Sequence, residues 1–357
     1  MSFTGYNIKP KQMRKIFFTL IGTIIVFAAQ AQLTDAQKKL GESLDIVVGG
    51  TFGKPKVMPK MEKLALAEVS VNFKQVTTKS VQKVEKKAGF FGKTPGKAAQ
   101  ASVTAYLETT DGELTAADYQ EVVDHFYSYF QKRLKDAGID TVSWAAVTGT
   151  DYYKDADSDK SDHEEEKSKG NTWVAYQAYG GKQLFNGKNG FAFLKSKSVS
   201  RMSDQLGAAL GFINVTVDFA YIDVDLNIQT GSAYKSANSS SNNTTVMKSE
   251  TAVTAYMRVS DFYETLRFSL LHNDKVQMEN LNVKMGIPAE MDFATELSKD
   301  PSRAEKRNEF FRIGLVKKME SEPVVISTTR EKYKAAAKKA LERYAEAFVI
   351  KAQMVKS

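Results

Sequence analysis

Asp155, Asp157, Asp159 and Glu166 stand at positions 1, 3, 5 and 12 of the calcium-loop template, in which alternating carboxylates and a final bidentate Glu wrap one hard cation. The spacing makes calcium the cofactor to weigh. Two positions depart from the template: Lys160 stands where a glycine makes the sharp turn, and Asp162 replaces an apolar residue. A solvated acidic loop accounts for the same residues, because the chain turns polar and acidic from Asp151 to Lys169.

Other chemistries find less support. His163 sits beside Glu164, but the second imidazole of a helical metalloprotease site is missing, and the chain holds only three histidines, His125, His163 and His272. His125 falls beside or opposite the aromatic stripe of a predicted helix and reads as a surface or boundary residue. Gly92-Lys93-Thr94 has the ending of a phosphate loop, yet Lys87 stands where its first glycine belongs. No Gly-x-Ser-x-Gly elbow and no dinucleotide fingerprint occurs. Asp223 and Asp225 alternate with Val224 and read as the exposed face of a strand, the other reading being a glycosidase-type acid pair. No residue is assigned a catalytic role.

With no cysteine, disulfides, zinc thiolates, a cysteine nucleophile and a lipid-acceptor cysteine are excluded, and stability must come from burial. Met13-Arg14-Lys15, the apolar run Ile16 to Ala28 and the small-x-small triplet Ala29-Gln30-Ala31 form the pattern of a cleaved export signal. The apolar run is shorter than the ~20 residues a membrane-spanning helix needs. Cleavage after Ala31 leaves 326 residues and lowers the net charge from +8 to +4, with the remaining bases interleaved with acids, so a nucleic-acid partner is not expected. The Ala29-Gln30-Ala31-Gln32 ending resembles signal ends of the Bacteroidetes, and a periplasmic or extracellular address follows. Residues 1–12 read as an over-extended start ahead of Met13.

Strands are predicted at Leu44 to Val48, Leu64 to Val76, Ile139 to Val147 and Trp173 to Tyr179. The glycine- and proline-bearing segments Phe52 to Lys56 and Phe91 to Lys97 read as loops. Thr115 with Asp118 starts a helix whose Tyr119, Val122, Val123, Phe126, Tyr127, Phe130 and Leu134 form one stripe, ended by Gly138. A short helix, Ser200 to Leu210, leads into a long strand, Phe212 to Ile228. Its apolar phase runs on Ile213, Val215, Val217 and Phe219 and then switches to Ile222, Val224, Leu226 and Ile228, so a β-bulge is expected near Tyr221. Gly231 to Thr245 is the polar tip of a long hairpin returned by Thr251 to Val259, and Phe262 to Leu271 extends the sheet. The last third reads as helical, with Pro288 and Pro301 near helix starts. It ends in Arg330 to Val355, with Tyr333, Ala337, Leu341, Tyr344, Phe348 and Ala352 on one stripe.

The Val- and Ala-rich strand Leu64 to Phe73, the helix end Leu134-Lys135-Asp136-Ala137-Gly138 before Ile139-Asp140-Thr141-Val142, and Leu206-Gly207-Ala208 before a long strand follow one another in order. Together they resemble the curli-export and Tol-associated amino-terminal domain superfamily over Leu64 to Asp261. The resemblance implies an α/β envelope protein that works by assembly or contact, with no catalytic residue to carry over. The chain departs from it in lacking a lipid-anchor cysteine and in the polarity of residues 231–245.

The fold expected is α+β: a mixed, mainly antiparallel sheet with a long hairpin, packed helices and a helical C-terminal third. Residues 32–329 form one domain, and 330–357 a helix packed on that domain or on a partner. The function expected is that of an exported envelope structural or interaction protein whose partner is another envelope protein or a second copy, with no transmembrane helix in the mature chain. A calcium-assisted binding protein and an exported hydrolase are the alternatives.

Overall fold

The computed structural model describes residues 33–48, 55–89, 92–156, 166–168, 170–182, 184, 196–231, 244–261, 268–271, 279–303 and 316–356. Residues 1–12, the segment 13–31 read as an export signal, and most of 231–245, expected as a hairpin tip, lie outside them.

The protein is α+β, built on one large mixed sheet that curls. Its two organising strands are Lys63–Gly89 (β2) and Ala209–Gly231 (β7), which run parallel from Leu64↔Ala209 to Phe73↔Val217. Beyond that point they part. β2 continues as a hairpin with Gly92–Thr109 (β3), and β7 as a hairpin with Thr244–Asp261 (β8), whose ladder runs from Val215↔Asp261 to Gly231↔Thr244. At about 3.4 Å per residue, the stretch of β7 from Ala220 onward is about 40 Å long.

The two leaves face each other. Val81, Ala99, Ala101, Val103 and Ala105 of one share the apolar core with Ile222, Val224, Leu226 and Met257 of the other, and the alanines let the leaves approach closely. Where β2 and β7 separate, each has an edge that the other no longer pairs. Lys79 Nζ donates to the Ile222 carbonyl at 2.8 Å and Lys83 Nζ to the Leu226 carbonyl at 2.7 Å, so lysines satisfy the β7 edge in place of a neighbouring strand.

Helices cover both faces of the parallel region. Ala116–Asp136 (α1) begins with the Thr115–Asp118 capping box and ends at Gly138, whose φ of 73° lets Ile139 N–H reach the Leu134 carbonyl at 2.9 Å. It packs on Arg330–Lys356 (α2) through Phe126–Tyr344 and Phe130–Phe348 ring contacts at 6.1 and 5.1 Å. The stripe from Tyr333 to Ala352 is buried, so this terminal helix packs on its own domain. The opposite face carries a smaller cluster in which Ala65, Ala67, Leu210 and Phe212 meet Val147, Tyr153, Val199 and Met202.

Several sequence expectations are corrected. Of the expected loop Phe91 to Lys97, Gly92 to Lys97 is strand and Phe91 lies outside the described residues: β3 starts at Gly92, and Pro95 pairs with Lys86 beside a register shift, a place where a strand tolerates proline. Ile139 to Val147 yields only the bridge Asp140–Thr141, because the Ser143 hydroxyl accepts from Ala146 N–H and starts a short helix at Trp144. Among the described residues, the last third is α-helical only from Arg330. Before it come the strands Glu279–Val283, Ile287–Pro288, Glu296–Lys299, Val316–Glu320 and Val324–Thr328, several of them completing sheet edges. Pro288 lies in a strand against Arg258, and Pro301 opens only a three-residue 3-10 turn. The bulge expected near Tyr221 is present, between Asp218 and Ala220.

Candidate functional site

The face of the β2–β7 pair away from α1 carries polar residues that are nonetheless buried. Ser70 and Asn72 on β2 and Asn214, Thr216 and Asp218 on β7 alternate with the apolar residues of the opposite face. Asn72 Nδ2 donates to Asn214 Oδ1 at 2.5 Å and to the Val215 carbonyl at 3.0 Å, and Gln177 Nε2 donates to Ser70 Oγ at 3.3 Å. Side chains thus tie together strands already joined by backbone.

The row ends at Asp218, 2 % exposed, where the leaves part. Its Oδ2 accepts from Lys74 Nζ at 2.9 Å and lies 3.5 Å from Arg258 Nη2, while Oδ1 accepts from the Thr77 hydroxyl at 3.0 Å. The bulge brings the Ala220 N–H within 3.4 Å of the same Oδ1. A carboxylate held by two cations, a hydroxyl and an amide has its acceptor positions occupied, so this geometry suits clamping three strands and not proton abstraction. Tyr333 of α2 has a buried hydroxyl without a partner among the described residues. Burial first, then the Tyr119 hydroxyl and the Asp218 charge, push its ionisation well above the usual tyrosine range. Burial likewise lifts Tyr119 to about 12, against the opposing hydrogen bond from Gln75.

A second charged cluster joins the two main helices. Asp118 accepts from Thr115 N–H and hydroxyl, both at 2.8 Å, and from Arg330 Nη2 at 2.6 Å. Burial raises its pKa, but the Thr115 hydrogen bonds and the Arg330 guanidinium outweigh that and hold the carboxyl at about 2.

The third feature is open to solvent. A groove of about 550 Å³ lies on the outer face of the β2–β3 hairpin, floored by Thr78, Ser102, Thr104 and Tyr106. One wall is the turn between Glu166–Ser168 (β4) and Asn171–Gln177 (β5); the other is Pro301, Arg303 and the crossing at 320–323. Thr78 clamps the first wall: its hydroxyl donates to the Gly170 carbonyl at 2.7 Å and its N–H to Asn171 Oδ1 at 3.1 Å. Gly170, at φ +79°, is required there, because a Cβ would meet Thr78 Oγ1 at 2.9 Å. On the second wall Arg303 lies 5.0 Å from the Tyr106 ring centroid and pairs with Asp300 at 3.1 Å and with Glu108.

The residues singled out from sequence fall elsewhere. Asp155 is an exposed residue closing the helix Asp151–Asp155, Glu166 opens β4, and Asp157 and Asp159 lie outside the described residues. Among the described residues no group of three or more His, Asp or Glu side chains is placed to hold a metal ion. His125 bridges the helices through Glu342 Oε1 at 2.8 Å and stacks on Tyr129, while His163 and His272 are outside the described residues. Asp223 is an exposed residue of β7, 3.9 Å from Lys79, and Asp225 is exposed on the same face. Sequence reasoning missed Asp218 and the groove. The phase switch marked the bulge that seats Asp218, whereas the groove is assembled from separate segments and leaves no local signal.

No helix among the described residues is long and apolar enough to cross a membrane. No family model, no curated protein and no solved structure matches the chain.

Proposed function

We propose that this chain is an exported cell-envelope component that works by assembly or contact, taking another envelope protein or a second copy of itself as partner, and that its contact element is the β7–β8 hairpin. The observation that supports this reading is the build of that hairpin. Its inner face is fixed against the other leaf, while its outer face presents Tyr221 and Tyr256, 46 % and 39 % exposed, with Asp223, Asp225 and Glu250 farther along. Tyr221 pairs directly with Thr254, so Tyr256 is its diagonal neighbour on the same face. Tyrosines on a rigid strand pair lose little side-chain entropy on contact, and this favours them at interfaces. The order of elements that resembles the curli-export and Tol-associated superfamily points to the same class of work.

The test is cross-linking of the protein in its own envelope, followed by sizing of the purified material. A higher-order species is expected, lost when Tyr221→Ala and Tyr256→Ala are combined. A monomer that captures nothing, or an assembly indifferent to both changes, would overturn the reading.

A further inference from the structure

We propose that the groove on the outer face of the β2–β3 hairpin is a binding site for a neutral oligosaccharide. It lies on the other leaf from the assembly hairpin, and the inference does not rest on the assembly reading. Three observations carry it.

The groove is preformed. Thr78 fixes the Gly170–Asn171 wall to the floor, Ser321 N–H donates to the Ser102 carbonyl at 2.9 Å, and the Ser321 and Thr251 hydroxyls are 3.1 Å apart, so both walls are held before any ligand arrives. Ligand binding then orders little protein. Its volume of about 550 Å³ falls within the range of small-molecule sites, and its open form admits units from within a chain as well as an end.

The charges cancel. Arg303 is engaged by Asp300 and Glu108, and Glu322 by Lys299 at 3.2 Å. Among the described residues that line the groove, the two cations Lys167 and Arg303 are matched in number by the two anions Glu320 and Glu322, so the lining has no excess of one sign to select a phosphate, a carboxylate or a polyamine.

The remaining lining matches a sugar. The hydroxyls of Ser102, Tyr106 and Thr172 and the carboxylate of Glu320 make no hydrogen bond among the described residues, so they are available to a polyhydroxylated ligand that both donates and accepts. They alternate with apolar surface from Val76, Pro301, Pro323 and the Tyr106 ring, the mixed character that sugar rings share. Arg303 makes a cation–π contact with the Tyr106 ring, 5.0 Å from its centroid.

The experiment is isothermal titration calorimetry of the intact protein against cellotetraose, chitotetraose, maltotetraose and mannotetraose, with inorganic phosphate as an anionic control. At least one tetrasaccharide should bind, and phosphate should not. Tyr106→Ala should weaken that binding about tenfold, Ser102→Phe, which fills the floor, should abolish it, and Tyr221→Ala on the other leaf should leave it unchanged. Circular dichroism establishes that each variant is folded, and should Tyr106→Ala fail to fold, Ser102→Phe decides alone. Silence from all four sugars at about 10 mM, ten times a millimolar Kd, overturns the proposal. So do binding of phosphate in their place and sugar binding that survives Ser102→Phe.

Discussion

Replacing Asp218 with alanine should destabilise the protein more than any other single charge removal in the β7–β8 hairpin. The carboxylate is 3 % exposed at the side chain, and its removal leaves Lys74 and Arg258, 21 % and 24 % exposed, without their shared counter-ion. Breaking a buried pair by deleting one partner costs ~3–5 kcal/mol. Because both cations retain a path to water, the lower end of that range applies. The Thr77 hydroxyl, 6 % exposed, loses its acceptor and adds ~1 kcal/mol. The sum is about 4 kcal/mol. Lys74→Met should cost only ~1–2 kcal/mol, since Arg258 and Thr77 still compensate the carboxylate. The double variant should then cost clearly less than the two singles added, because the groups interact directly. Asp223→Ala is the matched control: that side chain is 65 % exposed and 3.9 Å from Lys79, a surface pair worth ~0–1 kcal/mol. Urea unfolding followed by circular dichroism at pH 7 reads all four variants, and the midpoint should move without a change in slope. The reasoning fails if Asp218→Ala and Asp223→Ala agree within about 0.5 kcal/mol, the ordinary scatter of surface substitutions.

Three further outcomes follow from the same geometry. Asp118, with its folded pKa held at about 2, below its ordinary value, contributes stability that is complete above about pH 4 and lost as pH falls through 2. The gap between wild type and Asp118→Asn, ~2 kcal/mol at neutral pH, should therefore close between pH 4 and 2, and a gap constant over that window would contradict the assignment. Leu341→Ala removes a fully buried side chain from α2 and should lower stability by ~2–5 kcal/mol in thermal or urea unfolding; a silent change would mean that the helix does not pack on the domain. Lys79→Val combined with Lys83→Val uncovers the Ile222 and Leu226 carbonyls on the β7 edge, so sizing should reveal new association, and an unchanged elution volume would show that the lysines do not guard that edge.

Both main helices were legible because a long stripe at helical spacing has few competitors. Thr115 with Asp118 and the glycine at 138 set the ends of α1, and the tyrosine, leucine and phenylalanine spacing set the buried face of α2. Short strands carried no such signal. Glu279–Val283 and Val324–Thr328 are five residues each, and their identity as strands depends on the edges they pair with, β1 (Leu44–Val48) and β3. Phe91 to Lys97 read as a loop because glycine and proline are weighed locally, whereas the pairing of Lys93 with Ala88 and of Thr94 with Lys87 across the hairpin holds the segment from Gly92 in a strand. The calcium spacing could be counted along the chain, but whether it closes on an ion depends on where the segment places it, and Asp155 and Glu166 belong to different elements.

Asp218 marks the boundary between what periodicity carries and what it does not. Asn214, Thr216 and Asp218 alternate with Ile213, Val215 and Val217, a pattern that by itself describes a strand with one face in water. Ala65, Ala67, Leu210 and Phe212 earlier on the same pair of strands occupy that second face, and helical segments cover it there. The sheet is therefore buried on both sides where β2 and β7 run parallel, and every polar residue on its second face needs an internal partner. Lys74 of β2 and Arg258 of β8 serve Asp218, Gln177 of β5 serves Ser70, and Asn72 and Asn214 serve each other, while the Thr216 hydroxyl has no partner among the described residues. The register shift beside Asp218 sets Tyr256 and Met257 of β8 opposite Phe219 alone, and it falls next to the last β2–β7 pair, Phe73↔Val217, where one carboxylate reaches both Lys74 and Arg258. Parting of the two leaves and the ion cluster thus coincide in the sequence: the residue after the last parallel pair, Asp218, is the one that clamps the strands at the fork.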